Sequence, residues 1–267
     1  MATEGSRLKF VSNILDAYNR FSLDGIDIDW EYPGQIGDNN KYRAEDKENY
    51  TLMLQALRER MDDEGKKDSR RYLLTIATGV GAAFVSHTDL GQAQRYVDYV
   101  NLMGYDIYNG NDKVTGHLSN LYQSKLGDHS RSSADDAVKA HLAAGVPAGK
   151  IVLGLPFYGR GWTEVNSQDN GLYQPSAGKT WTKADDELSE SYINTNGYVR
   201  YWDTAAKAPY LWNPETRTFV TYDDAESFAG KVDYVKAQGL AGVMFWQYNQ
   251  QAKSGKLLDG LFHGLKQ

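Results

Sequence analysis

Apolar residues recur along the chain with two alternating periods. Leu8, Val11, Ile14, Leu15, Tyr18 and Phe21 fall at helical spacing, and Gly25 follows the end of that run. An extended stretch over 25–32 (GIDIDWEY) comes next, then a polar loop rich in Gly and Asn. The helical period returns over 41–64, with Tyr50, Met53, Leu54, Leu57 and Met61 on one face. Residues 72–80 read as a buried strand, 88–98 as a short helix and 99–105 as another strand. Ser132 or Ser133 is placed to cap a helix ending near Gly145. Two further apolar strands lie at 151–158 and 240–248; a helix over 223–238 precedes the second, and a short helix closes the chain.

Apolar strands alternating with amphipathic helices predict βα units on a parallel sheet. Five such strands begin near residues 26, 73, 100, 152 and 241. The stretch 160–222 differs in texture: it is rich in Gly, Asn, Thr, Tyr and Trp, with short alternating pieces at 198–202 and 219–222. It reads as a small β-rich insertion. The predicted organisation is therefore an α/β domain over 1–159 and 223–267, interrupted by a second domain over 160–222.

Composition narrows the chemistry. The chain has 267 residues and a formal charge of −6, and its basic cluster of Lys66, Lys67, Arg70 and Arg71 is interrupted by Asp68, which argues against nucleic acid as a partner. Without cysteine there is no disulfide frame, thiolate zinc site or cysteine nucleophile. The five His have no ligand spacing, so no metal is expected. Gly79-Val80-Gly81 lacks the rest of a dinucleotide fingerprint, and no cofactor is expected. The first ten residues contain no signal-peptide core, and no run of about 18 apolar residues could span a membrane. Cytoplasmic residence is the default expectation, and secretion the expectation if a leader once preceded residue 1. Asn49-Tyr50-Thr51 fits a glycosylation acceptor but sits in a helical pattern. The 19 Tyr, 6 Trp and 8 Phe either fill a Tyr-rich core or line a groove that stacks flat apolar faces such as sugar rings. Trp162, Trp181, Trp202 and Trp212 in the insertion are open to both readings.

Most of the information sits in Asp24-Gly25-Ile26-Asp27-Ile28-Asp29-Trp30-Glu31. Strand alternation puts Asp27, Asp29 and Glu31 on one face, opposite Ile26, Ile28 and Trp30. A strand between two βα helices is expected to be enclosed on both faces. Three enclosed carboxylates repel one another unless protons are shared, a costly arrangement that suits acid catalysis. The spacing superficially suggests a calcium loop, but the apolar alternation and the missing turn glycine do not fit one.

Asp24-x-x-Asp27-x-Asp29-x-Glu31 resembles the signature of glycoside hydrolase family 18, the chitinases and their relatives. Met103-Gly104-Tyr105-Asp106, Gly154-Leu155-Pro156-Phe157-Tyr158-Gly159-Arg160 and Phe245-Trp246 are similar to later strands of that family. Ala208-Pro209-Tyr210 through Tyr222-Asp223-Asp224 resembles the end of the insertion domain of its deep-groove members. The resemblance implies a (β/α) barrel and a retaining, substrate-assisted hydrolysis of N-acetylglucosamine chains such as chitin. It implies that Glu31 is the general acid and that the sugar's own acetamido oxygen is the nucleophile. Asp29 would polarise the acetamido N–H, Asp27 would share a proton with Asp29, Asp24 would support the strand's start, and Tyr105 would hydrogen-bond the acetamido group. Trp246 would floor the pocket, with Met103, Asp106, Tyr158, Arg160 and Tyr32 binding substrate.

The chain departs from the family at one point. The acid signature belongs to the fourth of eight barrel strands, yet here a single helix precedes it, so an incomplete TIM barrel of family strands four to eight is expected. Five strands expose edges and an apolar interior, and a homodimer covering the open side is the expected partner. A second reading is a non-catalytic, lectin-like N-acetylglucosamine binder on the same scaffold. Lectin-like relatives usually replace the acid, and Glu31 is present with both Asp partners.

Overall fold

The computed structural model describes residues 2–37 and 39–266, and the chain divides into two compact units. One comprises Met1–Leu102 and Val138–Val152, the other Met103–Ala137 and Leu153–Gln267.

The first unit opens with α1 (Glu4–Phe21), nucleated by a reciprocal cap in which Thr3 accepts from the Ser6 N–H and the Ser6 side chain returns a bond to the Thr3 backbone. Val11, Leu15 and Tyr18 form its buried stripe. β1 (Gly25–Ile28) is shorter than the extended stretch predicted, because its ladder with the next strand stops at Ile28. α2 (Asp46–Asp68) starts later than the periodicity predicts: the Asp46 carboxylate accepts from the Arg43 N–H at 2.8 Å and holds a turn there. β2 (Leu73–Thr78) follows. The helix predicted over 88–98 is shortened to α4 (Leu90–Ala93), capped by Asp89, and an unpredicted turn of helix, α3 (Ala82–Ser86), stands before it. β3 (Tyr99–Leu102) pairs with β2, and β2 with β1, all in parallel.

Alternation gives this part of the sheet two different faces. Leu74, Ile76, Val100 and Leu102 are sealed, as are Leu54, Leu57 and Met61 of α2. The opposite face carries Asp27, Thr75 and Asn101 together with Leu73 and Tyr99, which are 45% and 41% exposed. Gly25 permits the close approach of β1, since a Cβ there would lie 2.3 Å from the Leu73 carbonyl. Asn49 is buried in α2 and accepts from Arg7 Nη1 at 2.9 Å, so the acceptor triplet is part of the packing between α1 and α2.

α5 (Ala134–Ala143) is capped by Ser133, whose hydroxyl accepts from the Asp136 N–H at 3.2 Å. α5 and β4 (Ile151–Pro156) each begin in one unit and end in the other. β5 (Tyr158–Trp162), β6 (Thr180–Ala184), α6 (Asp185–Ser191), β7 (Val199–Asp203), β8 (Ala208–Asn213) and β9 (Thr218–Thr221) come next. These five strands form an antiparallel sheet in the order β6-β5-β9-β8-β7. Trp162, Phe219, Leu211 and Trp212 are buried in it, so two of the insertion's four Trp are core residues. Trp181 packs on the cluster of Leu188, Leu211, Val220 and Tyr222, and the Arg200 guanidinium lies over the Trp202 ring at 5.3 Å. α7 (Ala225–Ala237), reciprocally capped by Asp224 and Ser227, leads to β10 (Gly242–Trp246) and α8 (Lys256–Lys266). The five parallel strands have the order β1-β2-β3-β4-β10. Among the described residues no helix is long and apolar enough to cross a membrane.

Candidate active site

The acid signature lies in the first unit. β1 ends at Ile28, so Asp27 is on the strand while Asp29 and Glu31 stand on the irregular backbone just beyond it. Asp27 is held from the two neighbouring strands: Thr75 Oγ1 and Asn101 Nδ2 both donate to its Oδ1, the latter at 3.0 Å. Asp29 and Glu31 lie close enough for their carboxyls to act on each other. Burial first, then the negative charges of Glu31 and Asp27, push Asp29 up to about 6. Behind them Tyr50 is sealed, and its phenol is pushed up by burial and then by the charges of Asp27 and Asp29. The Trp30 ring meets Tyr50 edge-on at 5.8 Å.

Enclosure of both faces was the expectation, and here the structure differs. Asp27, Asp29 and Glu31 are exposed, and so are Leu73 and Tyr99 on the same face of the sheet. The repulsion that raises Asp29 therefore acts between groups that still reach solvent. Asp24 is on the surface, ion-paired with Arg70, and its carbonyl accepts from the Leu73 N–H at 3.1 Å. Tyr32 meets Phe84 edge-on at 5.9 Å.

The second unit gathers most of the remaining residues into a separate cluster. Asp106, at φ 57, is the hub. It accepts from the Tyr158 hydroxyl at 2.8 Å and takes a forked bond from Arg160, with Nη2 at 2.7 and 2.8 Å and Nε at 2.9 Å. Arg160 Nη1 also reaches Thr182 Oγ1 at 2.9 Å, which fixes the guanidinium plane. Burial, then Asp106, drive the Tyr158 phenol far above its ordinary range, so it stays a hydrogen-bond donor. Tyr105 packs edge-on against Tyr158 at 6.2 Å, with Leu118, Met103 and Met244 around them. Trp246 is 53% exposed, and its backbone carbonyl accepts from the Phe157 N–H at 2.7 Å. An exposed indole on a strand whose backbone is fixed is a surface on which a flat apolar ring can stack.

Several supporting residues escape sequence reasoning. Thr75 and Asn101 carry no motif, yet both donate to Asp27. The register of three parallel strands is the signal that would have found them, since Asp27 pairs with Thr75 and Asn101 with Ala77 beside it. Thr182 is placed against Arg160 by the pairing of β5 with β6.

Parallel βα strands, the first of them leading into three neighbouring carboxylates, define the class: an α/β protein with a carboxylate site of the kind acid–base chemistry uses. Comparison with known proteins makes this specific. The description of Glycosyl hydrolases family 18 matches residues 1–251, and the chain belongs to that family. It is 41% identical to chitinase A1 of Niallia circulans over 260 residues, covering 92% of this chain and 37% of that protein. It is 33% identical to chitinase B of Serratia marcescens, covering 97% of this chain and 61% of that one. A family 18 N-acetylglucosaminidase from Paenibacillus barengoltzii superposes with a TM-score of 0.94 at 44% identity, over 99% of this chain and 77% of that one. The chain thus spans between about a third and two-thirds of the length of these two chitinases.

Proposed function

We propose that this chain carries the acid–base centre of a chitinase and cleaves β-1,4-linked N-acetylglucosamine chains with retention. Glu31 protonates the glycosidic oxygen, and the acetamido oxygen of the sugar attacks the anomeric carbon to give an oxazolinium ion, which water then opens. Asp29 receives the acetamido N–H and orients the oxygen, and Asp27, tethered by Thr75 and Asn101, shares a proton with Asp29. Tyr105 donates to the acetamido group. Trp246 supplies the apolar floor, with Met103, Asp106, Tyr158, Arg160 and Tyr32 as substrate contacts.

The observation that carries the proposal is the grouping of Asp29 with Glu31 and Asp27 at the end of β1, where burial and the two neighbouring charges push Asp29 up to about 6. A carboxyl that exchanges its proton near neutral pH, beside a second carboxyl, is suited to moving a proton during turnover. Product release from chitin oligosaccharides by the wild type and by Glu31→Gln tests it: turnover by the first and none by the second is expected. Binding without turnover by the wild type would turn the reading to a lectin. Leu73 and Tyr99 on the open face give the proposal its second half, a homodimer that covers them. A monomer at micromolar concentration in sedimentation, binding no hydrophobic dye, would remove that half.

A further inference from the structure

A buried charge lies behind the Tyr105–Asp106 cluster. The side chains of Lys231, on α7, and Asp223, just before it, are each 1% exposed, with Nζ 2.6 Å from Asp223 Oδ1. Nζ also donates to Ser119 Oγ at 2.7 Å, and Ser119 Oγ donates to the Gly104 carbonyl at 2.7 Å. The Phe228 ring covers the ammonium at 5.9 Å. An ammonium has donors only, so Ser119 must accept from Lys231, and its one proton is left for Gly104. The direction of the chain of bonds is fixed from the lysine outward.

The end of that chain is an unusual piece of backbone. The Tyr105 N–H bonds to the Met103 carbonyl at 2.8 Å, Asp106 follows at φ 57, and the Ile107 N–H reaches the Leu118 carbonyl at 3.1 Å. Gly104 is wedged: a Cβ there would lie 2.5 Å from the Gly154 carbonyl and 3.0 Å from Leu153 Cδ1. The backbone has left the regular ladder here, and the Gly104 carbonyl takes its hydrogen bond from Ser119. A buried ion pair is seldom a net gain over apolar packing, and burial pulls the Lys231 pKa below that of an ordinary lysine even beside Asp223. Stability alone is a weak reason for placing the pair here, whereas the ammonium sets which way the Ser119 hydroxyl points.

We propose that Lys231, acting through Ser119, is a positioning residue that fixes the Gly104 carbonyl and with it the turn carrying Tyr105 and Asp106. Its effect on turnover rests on the function proposed above, while its effect on the turn does not. The test therefore has two independent readouts on the full chain, amide exchange and kinetics on chitin oligosaccharides. Ser119→Ala is expected to speed exchange of the Tyr105 amide about tenfold, the factor one buried hydrogen bond is worth, and to leave the β8–β9 amides unchanged. It is also expected to lower kcat by about tenfold with KM within about twofold, because a shifted turn misplaces a reacting contact without removing a binding one. Ser119→Thr keeps the hydroxyl and restores kcat. The pair Lys231→Met/Asp223→Leu leaves no lone buried charge, so it folds, and it lowers kcat as Ser119→Ala does. Unchanged exchange at Tyr105 in Ser119→Ala overturns the positioning role whatever the activity. Full kcat in the double variant overturns the part assigned to Lys231. A wild type without turnover would remove the proposed function and leave the exchange result to decide the turn.

Discussion

The two charge clusters of this molecule solve opposite problems. At the end of β1, Asp27, Asp29 and Glu31 are three like charges at one place, exposed, with Asp29 pushed up to about 6. In the second unit the charges come in opposite pairs: Arg160 forks onto Asp106, and Lys231 meets Asp223 in the interior. Asp203 belongs with the second kind. Burial works to raise it, but hydrogen bonds from His117 and Ser124 outweigh that and hold it below the ordinary carboxylate range. Like-charge clustering leaves a proton free to move, whereas pairing holds atoms in place. The first arrangement suits proton transfer and the second suits geometry.

The largest effects test that division of labour. Glu31→Gln should reduce release of chitin-oligosaccharide products by about 10²–10⁴-fold, the usual weight of a general acid, with thermal unfolding nearly unchanged because the side chain is exposed. Asp223→Ala should weigh mainly on stability. It leaves Lys231 charged and unpartnered in the interior, and should cost about 3–5 kcal/mol in urea unfolding. A stable Asp223→Ala protein, or an unstable Glu31→Gln one, would break the comparison.

The same contrast explains what could be read in the sequence. The three carboxylates alternate within five residues, so strand alternation exposes them at once. The partners of Asp27, Thr75 and Asn101, lie 48 and 74 residues away, and only the register of three strands brings them in. Lys231 and Ser119 are 112 residues apart, and neither residue type signals a buried relay. Parallel strands and the β-rich stretch were legible because their periods differ. Enclosure of the carboxylate face was not, since sequence pattern shows which residues share a face but not what lies over it: Asp27, Leu73 and Tyr99 share an exposed one.

Smaller effects sharpen the like-charge side. Asp29 binds its proton more tightly in the folded chain than its ordinary value of 3.8 would allow. Between about 4 and about 6 the folded state therefore holds more protons than the unfolded one, and stability falls as pH rises through that window. Asp29→Asn should abolish this fall, gaining about 1 kcal/mol on the wild type at pH 7 relative to pH 4, a figure reduced because the side chain reaches solvent. Urea unfolding at the two pH values measures it, and an equal slope in both proteins would mean that Asp29 titrates normally.

The finest test asks which neighbour sets the Asp29 proton. Burial acts first, then the charge of Glu31, then the charge of Asp27. In a carboxyl-carbon NMR titration, Glu31→Gln should lower the Asp29 midpoint from about 6 by more than Asp27→Asn does. Asp27→Asn keeps an oxygen for Thr75 and Asn101 to bond, so the strands stay in register and the change isolates the charge. If the midpoint stays near 6 in both variants, burial alone holds the proton, and the contrast between like and opposite charges loses its electrostatic basis.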